Sequence, residues 1–131
     1  MKTVVVLAER TEQAYRYLTL FEPLGFQIKA VNSFAPLLSC IVDPSSVLVL
    51  VEDALKARTS AHSLINQIRE MPGKPSHIPI IRVWKGLSLV RGAGTQGAVE
   101  TVIAPVTGQS LAEALARLGL IKQNPDFEPN A

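Results

Sequence analysis

The feature that most constrains the fold is a regular alternation between apolar runs rich in Val and Ile and segments with helical periodicity. The runs are "TVVVLA" (3–8), "QIKAV" (27–31), "SVLVLV" (46–51), "IPIIRVW" (78–84) and "ETVIAPV" (100–106). Because these runs are apolar throughout, they predict strands that are covered on both faces. Strands of this kind that alternate with helices form right-handed βαβ units, so the sequence predicts a parallel sheet wrapped by helices.

Four segments between or after these runs have the period of an amphipathic helix. In the first, Ala14, Tyr17, Leu18 and Phe21 recur on one helix face, and Gly25 is a suitable stop. The others are residues 33–42, 60–71 and 107–118. Five strands and these helices predict an α/β flavodoxin-like domain, doubly wound, with strand order 2-1-3-4-5 and ligands at the carboxyl ends of the strands.

The segment "KGLSLVRGAGTQGA" (85–98) interrupts the alternation where a helix is due. It contains four glycines, and each glycine disfavours a helix by roughly 1 kcal/mol. We therefore expect an irregular helix or a mobile loop here. The expected domain spans residues 1–121, and residues 122–131 form a polar tail or a linker.

Composition excludes several classes of protein. The chain has 131 residues, is 47% hydrophobic and carries a net charge of only +2 without a basic run, which argues against a nucleic-acid-binding surface. A single cysteine, Cys40, cannot form an internal disulfide and fits a reducing compartment. No signal sequence and no long apolar span is visible, so we expect a cytoplasmic protein without membrane contact. No catalytic triad, Cys/His pair or metal-ligand set is visible either, so we expect no enzyme activity, no cofactor and no bound metal.

Three stretches carry a resemblance to a known family. Residues 97–118 combine Gly97-Ala98, a strand, Pro105 and an amphipathic helix, "IPIIRVW" opens its strand with Ile-Pro, and Gly25-Phe26 joins the first helix to the second strand. This layout resembles the receiver (CheY-like) domain of two-component response regulators over roughly residues 2–120. The resemblance implies the receiver fold and a role in signalling through protein contacts.

The resemblance also implies where a phosphorylation pocket would lie. Two acidic residues that bind Mg²⁺ should follow the first strand, and the matching positions are Ala8 and Glu9. The phosphoacceptor aspartate should end the third strand. That position is Glu52 if the strand is one residue longer than usual, or Val51 on strict spacing, whereas Asp53 is expected to be out of register.

The remaining pocket positions depart from the family pattern. The Thr or Ser that ends the fourth strand is replaced by Trp84, which Lys85 follows, and the lysine that precedes the strand-5 proline is replaced by Ala104. Mg²⁺ prefers hard oxygen ligands in strict geometry, and phosphoryl transfer depends on positioning and charge stabilisation. These replacements therefore predict a degenerate pocket.

The expected function is a phosphorylation-independent protein–protein interaction, in which the partner is a signalling protein, an output domain or a second copy of the chain. The resemblance places the interaction face on the altered fourth-helix segment, the fifth strand and the last helix. The residues expected there are Leu87, Leu89, Val90, Thr101 and Leu111.

Alternatives stay open at this point. Residual phosphorylation or Mg²⁺ binding at Glu52 and Asp53 is one, and a fixed charge of Glu52 that mimics a phosphorylated state is a variant of it. A small-molecule site that uses the glycine-rich loop 92–97 is another. Arg82 within a central strand needs a partner if it is buried, and Glu9 and Glu52 are the candidates; otherwise Arg82 is solvated.

Overall fold

The structure is a computed structural model that describes residues 2–8, 10–53, 61–84, 99–103 and 106–121. Within these residues, five parallel strands form one sheet with the order β2-β1-β3-β4-β5. The strands are β1 (Lys2–Leu7), β2 (Phe26–Val31), β3 (Ser46–Asp53), β4 (Ile80–Trp84) and β5 (Val99–Ile103). The flavodoxin-like topology predicted from the apolar runs is confirmed.

Helices cover both faces of this sheet. They are α1 (Thr11–Tyr15), α2 (Leu18–Phe21), α3 (Phe34–Ile41), α4 (Ala61–Glu70) and α5 (Gly108–Arg117). One core cluster contains buried side chains of α1, α2 and α5, and a second contains those of α3 and α4. Alternate residues of β1, β3 and β4 supply the two clusters, since successive side chains of a strand point to opposite faces. None of the described helices is long and apolar enough to cross a membrane.

The first helical segment is broken, where the sequence predicts one helix. Helix α1 ends at Tyr15, α2 begins at Leu18, and a 3₁₀ turn over Glu22–Leu24 leads to Gly25 at φ 90°. Gly25 suits this left-handed conformation because it has no Cβ. The ring of Phe21 at the end of α2 packs edge-to-face on Phe26 at the start of β2, with centroids 5.9 Å apart.

Helix α5 begins as predicted and corrects one residue of the expected interaction face. The Thr107 hydroxyl oxygen accepts a hydrogen bond from the Ser110 amide, and the Ser110 hydroxyl oxygen accepts one from the Thr107 amide, which is a reciprocal N-terminal cap. Leu111 in the first turn is 0% exposed and belongs to the first core cluster. The prediction that Leu111 lies on a docking face is therefore wrong, because its side chain is used in packing against the sheet.

Arg69 near the end of α4 holds the connection from α4 to β4. Its half-buried guanidinium donates hydrogen bonds from Nη1 to the carbonyl oxygen of Ile78 at 2.7 Å and to that of Pro75 at 3.2 Å. Pro75 and Ile78 are themselves buried. Since buried carbonyl groups need donors, Arg69 stabilises the backbone of the segment that leads from α4 to β4.

We expect Arg69→Met to destabilise the fold by about 1–3 kcal/mol, because it preserves much of the aliphatic volume but leaves buried carbonyl groups without this donor. The measurement is the free energy of unfolding in urea. Arg117→Met is the matched control. The Arg117 side chain is 53% exposed and pairs with Glu100, so its loss should change stability by less than about 1 kcal/mol. Equal effects of the two variants would contradict the assignment.

Candidate functional site

The carboxyl-terminal edge of the sheet is the candidate site, and strand pairing fixes the register there. Leu7 pairs with Val51, the last pair between β1 and β3. Strand β3 continues for two further residues, and Glu52 pairs with Val83 while Asp53 pairs with Trp84. Asp53 therefore lies within β3, and the expectation that it is out of register with the phosphoacceptor position stays a prediction. The residue level with Trp84 is Asp53, whereas Val51 lies two residues back in the ladder.

Ala8 follows β1 at this edge and is part of the hydrophobic core. It is 3% exposed, it belongs to the first core cluster, and its amide donates to the carbonyl oxygen of Val31 at 3.1 Å. A methyl group in this position supplies no oxygen to a cation. The receiver resemblance expects acidic residues at two positions, and at one of them Ala8 is thus packed in the apolar core.

Glu52 points to the face of the sheet that α1, α2 and α5 cover. Two and four residues earlier, Leu50 and Leu48 belong to the first core cluster, and strand alternation places Glu52 on their side. The side chain is half-buried and its Oε1 is out of contact with solvent. The Tyr17 hydroxyl donates a hydrogen bond to this carboxylate. A buried tyrosine usually finds such a partner for its hydroxyl group.

Tyr17 reaches Glu52 from the break between α1 and α2. Its carbonyl oxygen accepts hydrogen bonds from the amides of Leu20 at 3.0 Å and Phe21 at 2.9 Å, which begins α2. The side chain is only 5% exposed. Burial, followed by the negative charge of Glu52 and the hydrogen bond to it, raises the pKa of Tyr17 far above its usual value of 10.0. The phenol is therefore a neutral hydrogen-bond donor throughout the physiological range.

Arg82 lies on the other face of the sheet. Its neighbour two residues earlier, Ile80, belongs to the second core cluster, whereas Glu52 shares the face of the first cluster. Arg82 is 7% exposed, so the interpretation that it is solvated is wrong. Strand alternation also separates it from Glu52, which contradicts that candidate ion pair. Arg82 is level with Val51 on one side and with Thr101 on the other.

Thr101 on the edge strand β5 is exposed, and its place on an interaction face stays a prediction. The other residues expected on that face and the rest of the expected pocket lie outside the described residues. They are Leu87, Leu89 and Val90, together with Glu9, Lys85, Ala104 and the loop 92–97.

Sequence reasoning singled out Glu52 but missed Tyr17 as a member of the site. The available signal was its position in the apolar stripe of the first helical segment, where a buried hydroxyl group needs an acceptor. Glu52 lies near the end of β3 on that side of the sheet. The candidate site thus consists of the Glu52 carboxylate and the neutral phenol of Tyr17 that donates to it. The buried Ala8 lies at the same edge of the sheet, and Asp53 follows Glu52 in β3.

Comparison with solved structures finds the same fold in receiver domains. A CheY-like response regulator receiver domain from Methylobacillus flagellatus matches with a TM-score of 0.73 and 21% identity, over 90% of this chain and 98% of that chain. The receiver domain of a signal transduction histidine kinase from Syntrophus aciditrophicus matches with a TM-score of 0.72 and 16% identity, over 95% and 96% of the two chains. The chemotaxis protein CheY4 of Vibrio cholerae matches with a TM-score of 0.73 and 12% identity, over 90% and 98%.

Neither a comparison with protein-family models nor one with curated proteins finds a match. The structural likeness establishes the fold, and the chain has the CheY-like fold of response regulator receiver domains. Its chemistry has to be argued from its own residues.

We expect Tyr17→Phe to lower the free energy of unfolding by about 1.5–3 kcal/mol near neutral pH, because a hydrogen bond to a charged, half-buried carboxylate is lost. Tyr15→Phe is the control, since Tyr15 is 62% exposed and its hydroxyl is not in the core. Urea unfolding of both variants measures the difference. An effect of Tyr17→Phe as small as that of Tyr15→Phe would contradict the hydrogen bond to Glu52.

The raised pKa of Tyr17 also predicts the pH dependence of stability. Below the usual tyrosine pKa of 10.0, both the folded and the unfolded states hold the proton, so the contribution of Tyr17 is complete. Above that pH the unfolded state loses its proton first, and stability falls as pH rises. We therefore expect the stability difference between the natural chain and Tyr17→Phe to shrink between about pH 9 and pH 11. A constant difference would show that the pKa of Tyr17 is the same in both states.

Proposed function

We propose that this chain is a signalling module with a receiver fold that acts through protein contacts and does not depend on phosphorylation. The observation that carries the proposal is the engagement of Glu52 by Tyr17 beside the buried Ala8. A carboxylate in this arrangement serves the packing of α1 and α2 on the sheet, and the apolar neighbour offers no oxygen to Mg²⁺.

The sequence adds two further reasons for the proposal. The receiver resemblance puts Trp84 where a small hydroxyl residue contacts the phosphoryl group, and Ala104 where a lysine neutralises it. Catalysis of phosphoryl transfer consists largely of positioning and charge stabilisation. A chain without the hydroxyl and the lysine has lost two of the groups that this chemistry uses.

One observation favours a second candidate function. Asp53 is paired with Trp84 in the ladder between β3 and β4, so an aspartate stands level with the residue that would contact a phosphoryl group. Residual Mg²⁺ binding or phosphorylation would then be expected at Asp53, with Glu52 excluded from the reaction by its contact with Tyr17.

An amide NMR titration of the full chain with Mg²⁺, and then with Mg²⁺ and beryllofluoride, separates the two candidates. We expect no saturable shifts at residues 51–53 and 82–84, because the pocket lacks the ligands for a stable complex. Asp53→Asn and Glu52→Gln are the matched variants. Saturable shifts that disappear in Asp53→Asn and persist in Glu52→Gln would overturn the proposal and establish the second candidate.

The contact surface is tested on β5, which is an edge strand of the described sheet. Thr101 is exposed on this strand, and the first partner to test is a second copy of the chain. We expect Thr101→Arg to weaken self-association in sedimentation experiments without lowering stability. Gln27→Arg, an exposed position on the opposite edge strand β2, is the control. Equal self-association of the two variants would remove β5 from the proposed interface.

A further inference from the structure

A groove of about 330 Å³ opens at the amino-terminal edge of the sheet, at the end opposite the candidate site. Most of its lining is apolar and comes from the starts of β3 and β4 and from the residues after α5. The apolar lining residues are Pro44, Val47, Ile78, Pro79 and Leu120. This volume is at the lower end of what small ligand sites enclose, roughly 300 Å³, which suits a single aromatic side chain.

Two nitrogen-bearing side chains border the apolar floor. Lys74 is half-buried and its ammonium donates a hydrogen bond to the backbone carbonyl oxygen of Asp43, and His77 is exposed. The Asp43 carboxylate accepts hydrogen bonds from the amide and the hydroxyl of Ser45, both at 2.8 Å. This carboxylate is therefore engaged on its own turn. The groove thus combines an apolar floor with an ammonium group and an imidazole, a pattern that fits an aromatic residue flanked by acidic ones.

The carboxy-terminal segment leaves the described structure next to this groove. Helix α5 ends in a turn in which the Leu120 amide donates to the carbonyl oxygen of Leu115 at 2.9 Å and Gly119 has φ 75°, a helix ending that fixes the residue after the glycine. Leu120 is thereby placed in the groove wall. Residues 122–131 read "KQNPDFEPNA", and Phe127 among them is flanked by Asp126 and Glu128.

We propose that residues 122–131 bind back into this groove, with the ring of Phe127 on the apolar floor and the carboxylates of Asp126 and Glu128 facing Lys74 and His77. Phe127 is seven residues beyond Leu120, and an extended chain of that length spans at most about 25 Å. The segment can therefore return to the groove beside which it starts. A tether this short gives an effective concentration on the order of millimolar, so that a weak contact is sufficient. The proposal is independent of the proposed signalling function.

The test compares amide NMR spectra of the full chain and of Phe127→Ala. Because position 127 lies outside the folded core described above, the variant should fold normally. We expect shift changes confined to the groove, at Val47, His77, Ile78 and Leu120. Asn130→Ala, which changes the same segment outside the acidic-aromatic triplet, is the control and should leave these signals in place. Unchanged groove signals in Phe127→Ala would overturn the proposal.

Charge and concentration provide two further readouts. The double variant Asp126→Asn, Glu128→Gln should shift the same groove signals part of the way towards the Phe127→Ala spectrum, because the attraction to Lys74 is lost. Dilution should leave the groove signals of the natural chain unchanged, as an intramolecular contact requires. Signals that move on dilution would instead show that the groove holds the segment of a second copy, and this would overturn binding within one chain.

Discussion

The structure depends on the burial of a parallel sheet on both of its faces. Three consecutive residues at the centre of β1, Val4–Val6, and three at the centre of β3, Leu48–Leu50, are 0% exposed. Such strands have no face on which a polar side chain could meet water. Apolar burial contributes roughly 25 cal/mol per Å², so the two clusters that sandwich these strands supply the main stabilisation. Polar side chains of β1 and β3 are consequently confined to the ends of these two strands.

At the carboxyl end, the first charged residues that interrupt the apolar pattern lie on opposite faces. Glu52 is on the side of α1, α2 and α5, and Arg82 is on the side of α3 and α4. A half-buried carboxylate in a core needs donors, and Tyr17 supplies one from the helical side. The sheet thus separates the two charges. Glu52 therefore belongs to the layer of α1, α2 and α5, and Arg82 belongs to the layer of α3 and α4.

Much of the fold could be predicted from the sequence because it rests on local patterns. The apolar runs located all five strands, and the order 2-1-3-4-5 followed from the alternation of strands and helices. The break at residues 16–17 could not be predicted, since the helical spacing of Ala14, Tyr17 and Phe21 continues through it. All three side chains are buried in the structure, whereas Leu18 is 37% exposed. Packing on the sheet, rather than helix periodicity, selected which residues of the segment face inward.

The candidate site was harder to predict because it depends on register. The spacing of the third apolar run left Val51 and Glu52 open as the acceptor position, and the ladder between β3 and β4 contains both of them as well as Asp53. Strand pairing is a property of two chain segments, and the spacing within one segment does not fix it. Leu111 illustrates a second limit. Its position fits both the apolar face of an amphipathic last helix and the expected interaction face, and in the structure its side chain packs in the first core cluster.

The break at Tyr17 has a consequence for how the domain is connected mechanically. The hydroxyl of this residue contacts the end of β3, and its carbonyl oxygen begins α2, whose last residue Phe21 packs edge-to-face on Phe26. Phe26 is the first residue of β2. A continuous path of direct contacts therefore runs from the carboxyl end of a central strand to the amino end of an outermost one. These contacts link the two strands diagonally across the sheet, and Tyr17 takes part in two of them, through its hydroxyl and through its carbonyl oxygen.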